Sequence, residues 1–133
     1  MSFFSNIMRA LSFNWKRPPL TKFILTIWIK SQLNKDWDLF VSGFDALSIK
    51  ICDGSKAYRK KDAASIVATA DELNMEAHGW GFHYCRSVDE AKVEAEAAAG
   101  LCEELSVSAY HWNAEKEWAG SEDPESCAIA FAE

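Results

Sequence analysis

The sequence predicts an α/β fold in which parallel strands alternate with helices, arranged as half of a (β/α)8 barrel. Short β-branched and aromatic runs alternate with amphipathic helical patterns at a repeat of roughly 25 to 30 residues, which is the βαβ rhythm. The chain has 133 residues, whereas a complete barrel needs about 250. We therefore expect a (β/α)4 unit, preceded by an amphipathic helix.

Residues 1–21 are predicted to form a basic, amphipathic leader and linker. Their apolar side chains recur at helical spacing, and the pattern stops before Pro18 and Pro19. This helix packs either on its own domain or on a membrane or partner surface. Residues 22–133 form the α/β domain, which we expect to be incomplete at its C-terminus. The apolar residues at helical spacing in the leader are Phe3, Phe4, Ile7, Met8 and Leu11.

The first half of the domain contains two strands and two helices. The β-branched run from Lys22 to Lys30 predicts a strand, and apolar residues three and four apart predict a helix from Asp36 to Phe44. A second strand, Ala46 to Gly54, ends in an Asp-Gly turn. Asp62 is then predicted as the N-cap of a helix that ends near Asn74.

The second half repeats this order. The strand from Met75 to Cys85 contains Gly79 and Gly81, which indicate close approach of backbone or of a ligand. Residues 87–90 match a capping box that begins a helix ending near residue 105. A fourth strand begins at Val107, and Asp123 followed by proline predicts a last helix.

Composition excludes several classes of function. A net charge of −6 and a pI of about 5.1 argue against nucleic-acid binding. The first 35 residues nevertheless contain six basic residues and no acidic one. No apolar run is long enough to cross a bilayer, and no signal peptide is evident, so the default location is the cytoplasm. Four cysteines without metal or redox spacing are expected to be reduced core thiols.

Candidate site residues lie where the strands end, because ligands of parallel α/β folds gather at the carboxyl ends of strands. Asp53, Asn113 and Glu115 are the candidates for catalysis. Trp28 and Trp118 are candidates for stacking on a sugar ring. The other candidates for substrate binding are Lys50, His83, Tyr84 and Glu117.

The fourth strand gives the sharpest indication of chemistry. Strand alternation places His111, Asn113 and Glu115 on one face, although buried parallel strands are normally apolar on both. A carboxyl partly buried there would have a raised pKa and could donate a proton near neutral pH. The alternative is that the strand ends at Trp112 and a solvated loop follows.

No metal or cofactor site is predicted. His78 and His83 are five residues apart and point to opposite faces of their strand, so the three histidines make a poor metal site. Nucleotide-binding glycine loops, GxSxG and HExxH are all missing from the sequence.

Four segments taken together resemble the first half of the (β/α)8 glycoside-hydrolase-like proteins related to phage and bacterial lysozyme-type endolysins. The resemblance covers approximately residues 22–118. It rests on Lys-x-x-Asp-Gly at 50–54, Gly-Trp-Gly-Phe at 79–82 and Ala-Glu-Lys-Glu-Trp at 114–118. The segments are FILTIWIK, DWDLFVSGFDALSIKICDGSKAY, EAHGWGFHYC and AEAAAGLCEELSVSAYHWNAEKEW.

This resemblance implies a function, and the sequence departs from the family in two ways. Relatives carry Asp-x-Glu on the fourth strand, so Glu115 takes the place of the proton donor while Asn113 replaces the aspartate. Asp53 or Glu117 is left to supply a second carboxylate. The missing four strands imply an open edge, so we expect self-association or a partner chain that covers the half barrel.

Three hypotheses follow for the function. The leading one is a glycoside-hydrolase-like domain that acts on peptidoglycan or a related glycan, with Glu115 as general acid and Asn113 orienting it or the substrate. The second is a catalytically silent glycan-binding or structural module, either phage-encoded or virion-associated. The third, a small flavodoxin-like sheet that binds phosphate, is weakest because no glycine-rich loop follows the first strand.

Overall fold

A computed structural model describes residues 22–27 and 43–133 of the chain. The predicted leader at 1–21, most of the predicted helix from Asp36 to Phe44, and Trp28 lie outside the described residues. In the described part, no helix is both long enough and apolar enough to cross a membrane.

The fold is a parallel sheet whose strands alternate with helices, as the sequence predicts. The four parallel strands lie in the order β1-β2-β4-β5, and the short β3 pairs with β2 in the antiparallel sense. The sheet is open, with β1 and β5 as the outermost strands among the described residues. The strands are β1 (Ile24–Ile27), β2 (Ala46–Asp53), β3 (Lys56–Ala57), β4 (Glu76–His83) and β5 (Ala109–Ala114).

The described residues also form four helices, which are α1 (Lys60–Glu72), α2 (Val88–Leu105), α3 (Lys116–Ala119) and α4 (Pro124–Ala132). Helix α4 starts as predicted, because the Asp123 side chain accepts a hydrogen bond from the backbone N–H of Ser126. Ser87 caps α2 by accepting from the backbone N–H of Glu90 at 3.1 Å.

Two predicted caps are wrong in detail. Arg59, at φ 40°, occupies the N-cap position of α1, so Asp62 lies inside the first turn. A carboxylate still suits that position, since the first turn carries the positive end of the helix dipole. The Glu90 carboxylate accepts from the backbone N–H of Arg86 at 2.8 Å, not from Ser87, so the capping box is only half formed.

The main core lies between the sheet and helices α1 and α2. Leu47, Ile49 and Ile51 of β2 are at most 1% exposed and pack with Ala63 and Ile66 of α1. We call this side of the sheet the helix face. The opposite side, which carries Ser48, Lys50, Trp80 and His111, is called the cleft face.

A register shift between Lys50 and Cys52 interrupts the pairing of β2 with β4. Ile51 and Cys52 consequently both lie on the helix face, beneath the two glycines of β4. A Cβ on Gly79 would lie 2.6 Å from Ile51 Cδ1, and one on Gly81 would lie 2.8 Å from Cys52 Cβ. At these two glycines the closest approach is therefore made by side chains of this core rather than by backbone.

Candidate functional site

The carboxyl ends of three strands meet on the cleft face. Asp53, Phe82 and Asn113 are paired in register across β2, β4 and β5. Neighbouring strands are about 4.8 Å apart, which places the Cα atoms of Asp53 and Asn113 roughly 10 Å apart. Catalytic candidates from two different strands thus lie along one edge of the sheet.

Asp53 is held by two side-chain donors at this edge. Lys50 Nζ lies 2.7 Å from Asp53 Oδ2, and the Tyr84 hydroxyl donates to Oδ1 at 2.9 Å. Partial burial opposes ionisation of Asp53, but these two hydrogen bonds outweigh it and lower the pKa of its carboxyl below the ordinary value. Asp53 is therefore a fixed negative charge at neutral pH.

Lys50 supports this charge from inside the sheet. Its side chain is 4% exposed, and its ammonium lies 4.3 Å from the ring centre of Tyr58 and 5.5 Å from that of Trp80. Cation–π contacts of this kind offset part of the cost of burying a charge. The structure thus places Lys50 beneath Asp53, with little surface left for a ligand.

Asn113 and Glu115 form the second part of the site. The Asn113 amide donates to Glu115 Oε1 at 3.0 Å. Strand β5 continues to Ala114, whereas the alternative interpretation ended it at Trp112. Glu115 is the N-cap residue of α3. The partial burial expected for Glu115 is wrong: its side chain is exposed because the chain leaves the sheet at this point.

His83 lies on the helix face and is fully buried. The carboxylate of Glu94, on α2, accepts from His83 Nδ1 and from the backbone N–H of Tyr84, both at 3.0 Å. The Tyr110 hydroxyl donates to His83 Nε2 at 2.5 Å. Burial lowers the pKa of His83, against the opposing effect of Glu94. Both ring nitrogens of His83 are thus engaged inside the protein, and its predicted contact with substrate stays a prediction.

Sequence reasoning missed Glu94, which is 2% exposed and fixes the end of β4 just before the site. A signal for it exists, because it falls within the buried stripe of α2. The other members of that stripe are apolar, so a charged residue among them marks a polar interaction in the core. The stripe consists of Ala91, Glu94, Ala98, Leu101 and Leu105.

Trp118 and Glu117 lie on α3, beside the site. The Trp118 indole donates to the Pro124 carbonyl at 2.8 Å and packs edge-on against Trp112, with 5.7 Å between ring centres. This packing holds the half-buried Trp118 ring beside Trp112, and its predicted stacking on a sugar stays a prediction. Glu117 Oε2 is buried with no hydrogen-bond partner among the described residues, and its predicted role in substrate binding stays a prediction.

A cleft of about 390 Å³ opens in front of the cleft face. His111 and Asn113 line it together with Thr26, Ser48 and Trp80. His111 Nε2 lies 3.0 Å from His78 Nδ1, so His78 and His83 do point to opposite faces as predicted. Within residues 22–27 and 43–133, no group of three or more potential ligand side chains could hold a metal ion.

All four cysteines are free thiols, and Cys52, Cys85 and Cys127 are buried. Burial raises the pKa of Cys52 to about 11 and that of Cys85 to about 12. These cysteines are packing residues, as expected.

No family model matches the chain, and no curated protein sequence is significantly similar to it. Two solved structures of the modular autolysin LytC from Streptococcus pneumoniae are similar to it in fold, one of them in complex with a synthetic peptidoglycan ligand. Each has a TM-score of 0.57 and 13% sequence identity, covering 73% of this chain. The chain spans 23% of the length of LytC, so the likeness supports a distant relation in fold only.

Proposed function

We propose that this chain is a glycoside-hydrolase-like domain that acts on peptidoglycan or a related glycan at the strand-end site. The observation that carries the proposal is the placement of Asp53 and the hydrogen-bonded Asn113 and Glu115 along one edge of the cleft face. The fold likeness to an autolysin solved with a peptidoglycan ligand supports the choice of substrate class.

The two carboxyl groups suit different roles. Glu115 is the proposed general acid: its protonated form gives a proton to the glycosidic oxygen as the bond to the anomeric carbon breaks. Asp53, held ionised by Lys50 and Tyr84, stabilises the positive charge that develops on the sugar. Water adds to the anomeric carbon, and its proton restores Glu115.

Asn113 positions Glu115 by donating to one of its oxygens. An amide at this place cannot ionise, so it adds no second charge beside the acid. Because the Glu115 side chain is exposed, a bound glycan must itself exclude water from the proton donor.

The test is release of reducing ends from a suspension of purified bacterial cell walls. We expect the wild-type chain and Glu122→Gln, which alters another exposed carboxyl, to release them at equal rates. We expect Glu115→Gln to lower the rate by at least 100-fold, the usual size of a general-acid contribution. Equal rates for Glu115→Gln and the wild type would reject the role of Glu115.

A second candidate function is glycan binding without hydrolysis. Asn113 in place of an acid and the exposure of Glu115 favour it. In that case the chain sediments with cell walls but releases no reducing ends, and Glu115→Gln sediments equally well.

We also propose that a second copy or a partner chain covers the open sheet. Strands β1 and β5 have no further strand paired to them among the described residues, and unpaired edges favour association. Light scattering tests self-association, since a dimer has twice the mass of the 14.9 kDa chain. A monomer at all concentrations would leave only the partner-chain proposal.

A further inference from the structure

A line of hydrogen bonds crosses the cleft face from its amino end to the cleft. Lys22 Nζ lies 2.6 Å from Glu76 Oε1, and Glu76 Oε2 lies 2.9 Å from His78 Nε2. His78 Nδ1 in turn lies 3.0 Å from His111 Nε2. We call these four residues the histidine relay. Only its last member lines the cleft.

The relay determines which ring nitrogens carry protons. Hydrogen bonds from Lys22 and His78 lower the pKa of Glu76, so its carboxylate is ionised and only accepts. His78 Nε2 must then donate, and when the His78 ring carries a single proton its Nδ1 is an acceptor. His111 Nε2 therefore donates to it, and the lone pair on Nδ1 of His111 has no donor among the residues that the structure describes.

The cleft that contains His111 has the character of a site for an uncharged ligand. Its volume of about 390 Å³ is within the usual range for small-molecule sites. Among the described residues that line it, polar and apolar side chains are mixed and none carries a formal charge. They are Ile24, Thr26, Ser48, Trp80, His111, Trp112 and Asn113.

We infer that this cleft binds a neutral sugar unit, one of whose hydroxyl or acetamido N–H groups donates to Nδ1 of His111. The inference rests on the proposed function, because Asn113 both lines the cleft and donates to Glu115. A glycan at the strand-end site would thus place one of its units in this cleft. Thr26 and Ser48 supply hydroxyl groups on the opposite side.

The relay also gives the binding a pH dependence. Protonation of His111 turns Nδ1 into a donor and removes the acceptor. Burial, together with His78, lowers the pKa of His111, so the neutral form persists to below pH 6.5. The charged and titratable groups around it are Lys22, Glu76 and His78, with Lys50 in the same register row beyond Trp80.

Calorimetric titration with the tetramer of N-acetylglucosamine tests the inference at pH 7.5. Loss of one hydrogen bond in His111→Phe should weaken binding about fivefold. His78→Phe leaves the cleft lining intact but no longer fixes which ring nitrogen of His111 carries the proton. It should therefore weaken tetramer binding by less than His111→Phe does. Ser108→Ala removes a hydrogen bond to Ala77 at the start of β5, outside the cleft, and should bind as the wild type does.

Nitrogen-15 NMR of the imidazole rings provides an independent measurement. We expect His111 protonated at Nε2 in the wild type and a mixture of tautomers in His78→Phe. Wild-type protein that does not bind the tetramer, His111→Phe that binds it with unchanged affinity, or His111 protonated at Nδ1 would each overturn the inference.

Failure of this inference is distinguishable from failure of the proposed function. Tetramer binding that depends on His111, in a protein that releases no reducing ends from cell walls, keeps the cleft site and rejects hydrolysis. Hydrolysis that depends on Glu115, together with unchanged affinity of His111→Phe for the tetramer, keeps the proposed function and rejects the cleft site.

Discussion

Removal of the Glu94 carboxylate should destabilise the protein more than any change to an exposed acid. In Glu94→Ala, the ring N–H of His83 and the backbone N–H of Tyr84 lose their shared acceptor while still buried. An unpaired buried donor costs about 1 to 3 kcal/mol, so the free energy of unfolding should fall by about 4 kcal/mol.

This loss corresponds to a large shift in melting temperature. For a chain of 133 residues, the entropy of unfolding is about 0.28 kcal/mol/K, so 4 kcal/mol lowers the melting temperature by about 14 °C. Thermal unfolding followed by circular dichroism measures the shift. Glu96→Ala, an exposed change on the same helix, is the matched control and should alter stability by no more than about 0.5 kcal/mol.

Equal melting temperatures for the two variants would refute the reasoning. That result would mean that water reaches His83 and Tyr84 once Glu94 is removed, or that the carboxylate does not accept from them. Strand β4 would then not depend on α2 for the position of its carboxyl end.

Three further predictions concern the site and its support. Tyr84→Phe removes a donor from Asp53 and should raise the pKa of that carboxyl, measured by carbon-13 NMR, with an unchanged pKa refuting the contact. Gly81→Ala should lower the free energy of unfolding in denaturant by about 1 to 3 kcal/mol, because the added Cβ meets Cys52 and Tyr110. Gly100→Ala on α2 is the matched control: its Cβ meets nothing within 4 Å, so it should raise the free energy of unfolding by about 0.5 to 1 kcal/mol. The free energy of unfolding should also fall as pH drops below 6.5, because the pKa of His83 is lowered in the folded state and the unfolded chain binds the proton first. In urea unfolding, His83→Gln should reduce this dependence of stability on pH. An unchanged dependence would contradict the prediction.

Periodicity and capping signals were sufficient to predict most of the described fold. Strand β2 ends in the turn predicted at Gly54, which has φ 58°, and α2 and α4 begin after the predicted Ser87 and Asp123. These features depend on residues close together in sequence. A single segment therefore contains the information needed to predict them.

The bulge in β2 could not be predicted in the same way. Lys50 and Asp53 are three residues apart, so a regular strand would place them on opposite faces. The register shift after Lys50 brings them to the same face and allows the 2.7 Å ion pair. Neither Ile51 nor Cys52 is a residue type that marks a bulge. The two side chains lie against Gly79 and Gly81 of β4, which are distant in sequence, so no local pattern indicates the shift.

The histidine relay was also missed, because it joins β4 to β5 through register. The sequence places His78 and His83 on opposite faces, but it does not specify that His78 and His111 come within 3.0 Å. That distance depends on the pairing of His78 with Ala109 and of Trp80 with His111.

Amide chemical-shift mapping with a soluble peptidoglycan disaccharide tests the central claim, a glycan site on the cleft face, most directly. We predict concentration-dependent shifts at Asp53, Tyr84, His111, Asn113 and Glu115. The amides of α1, on the other side of the sheet, should stay unchanged. Shifts confined to the helices, or no shifts at millimolar disaccharide, would contradict the claim.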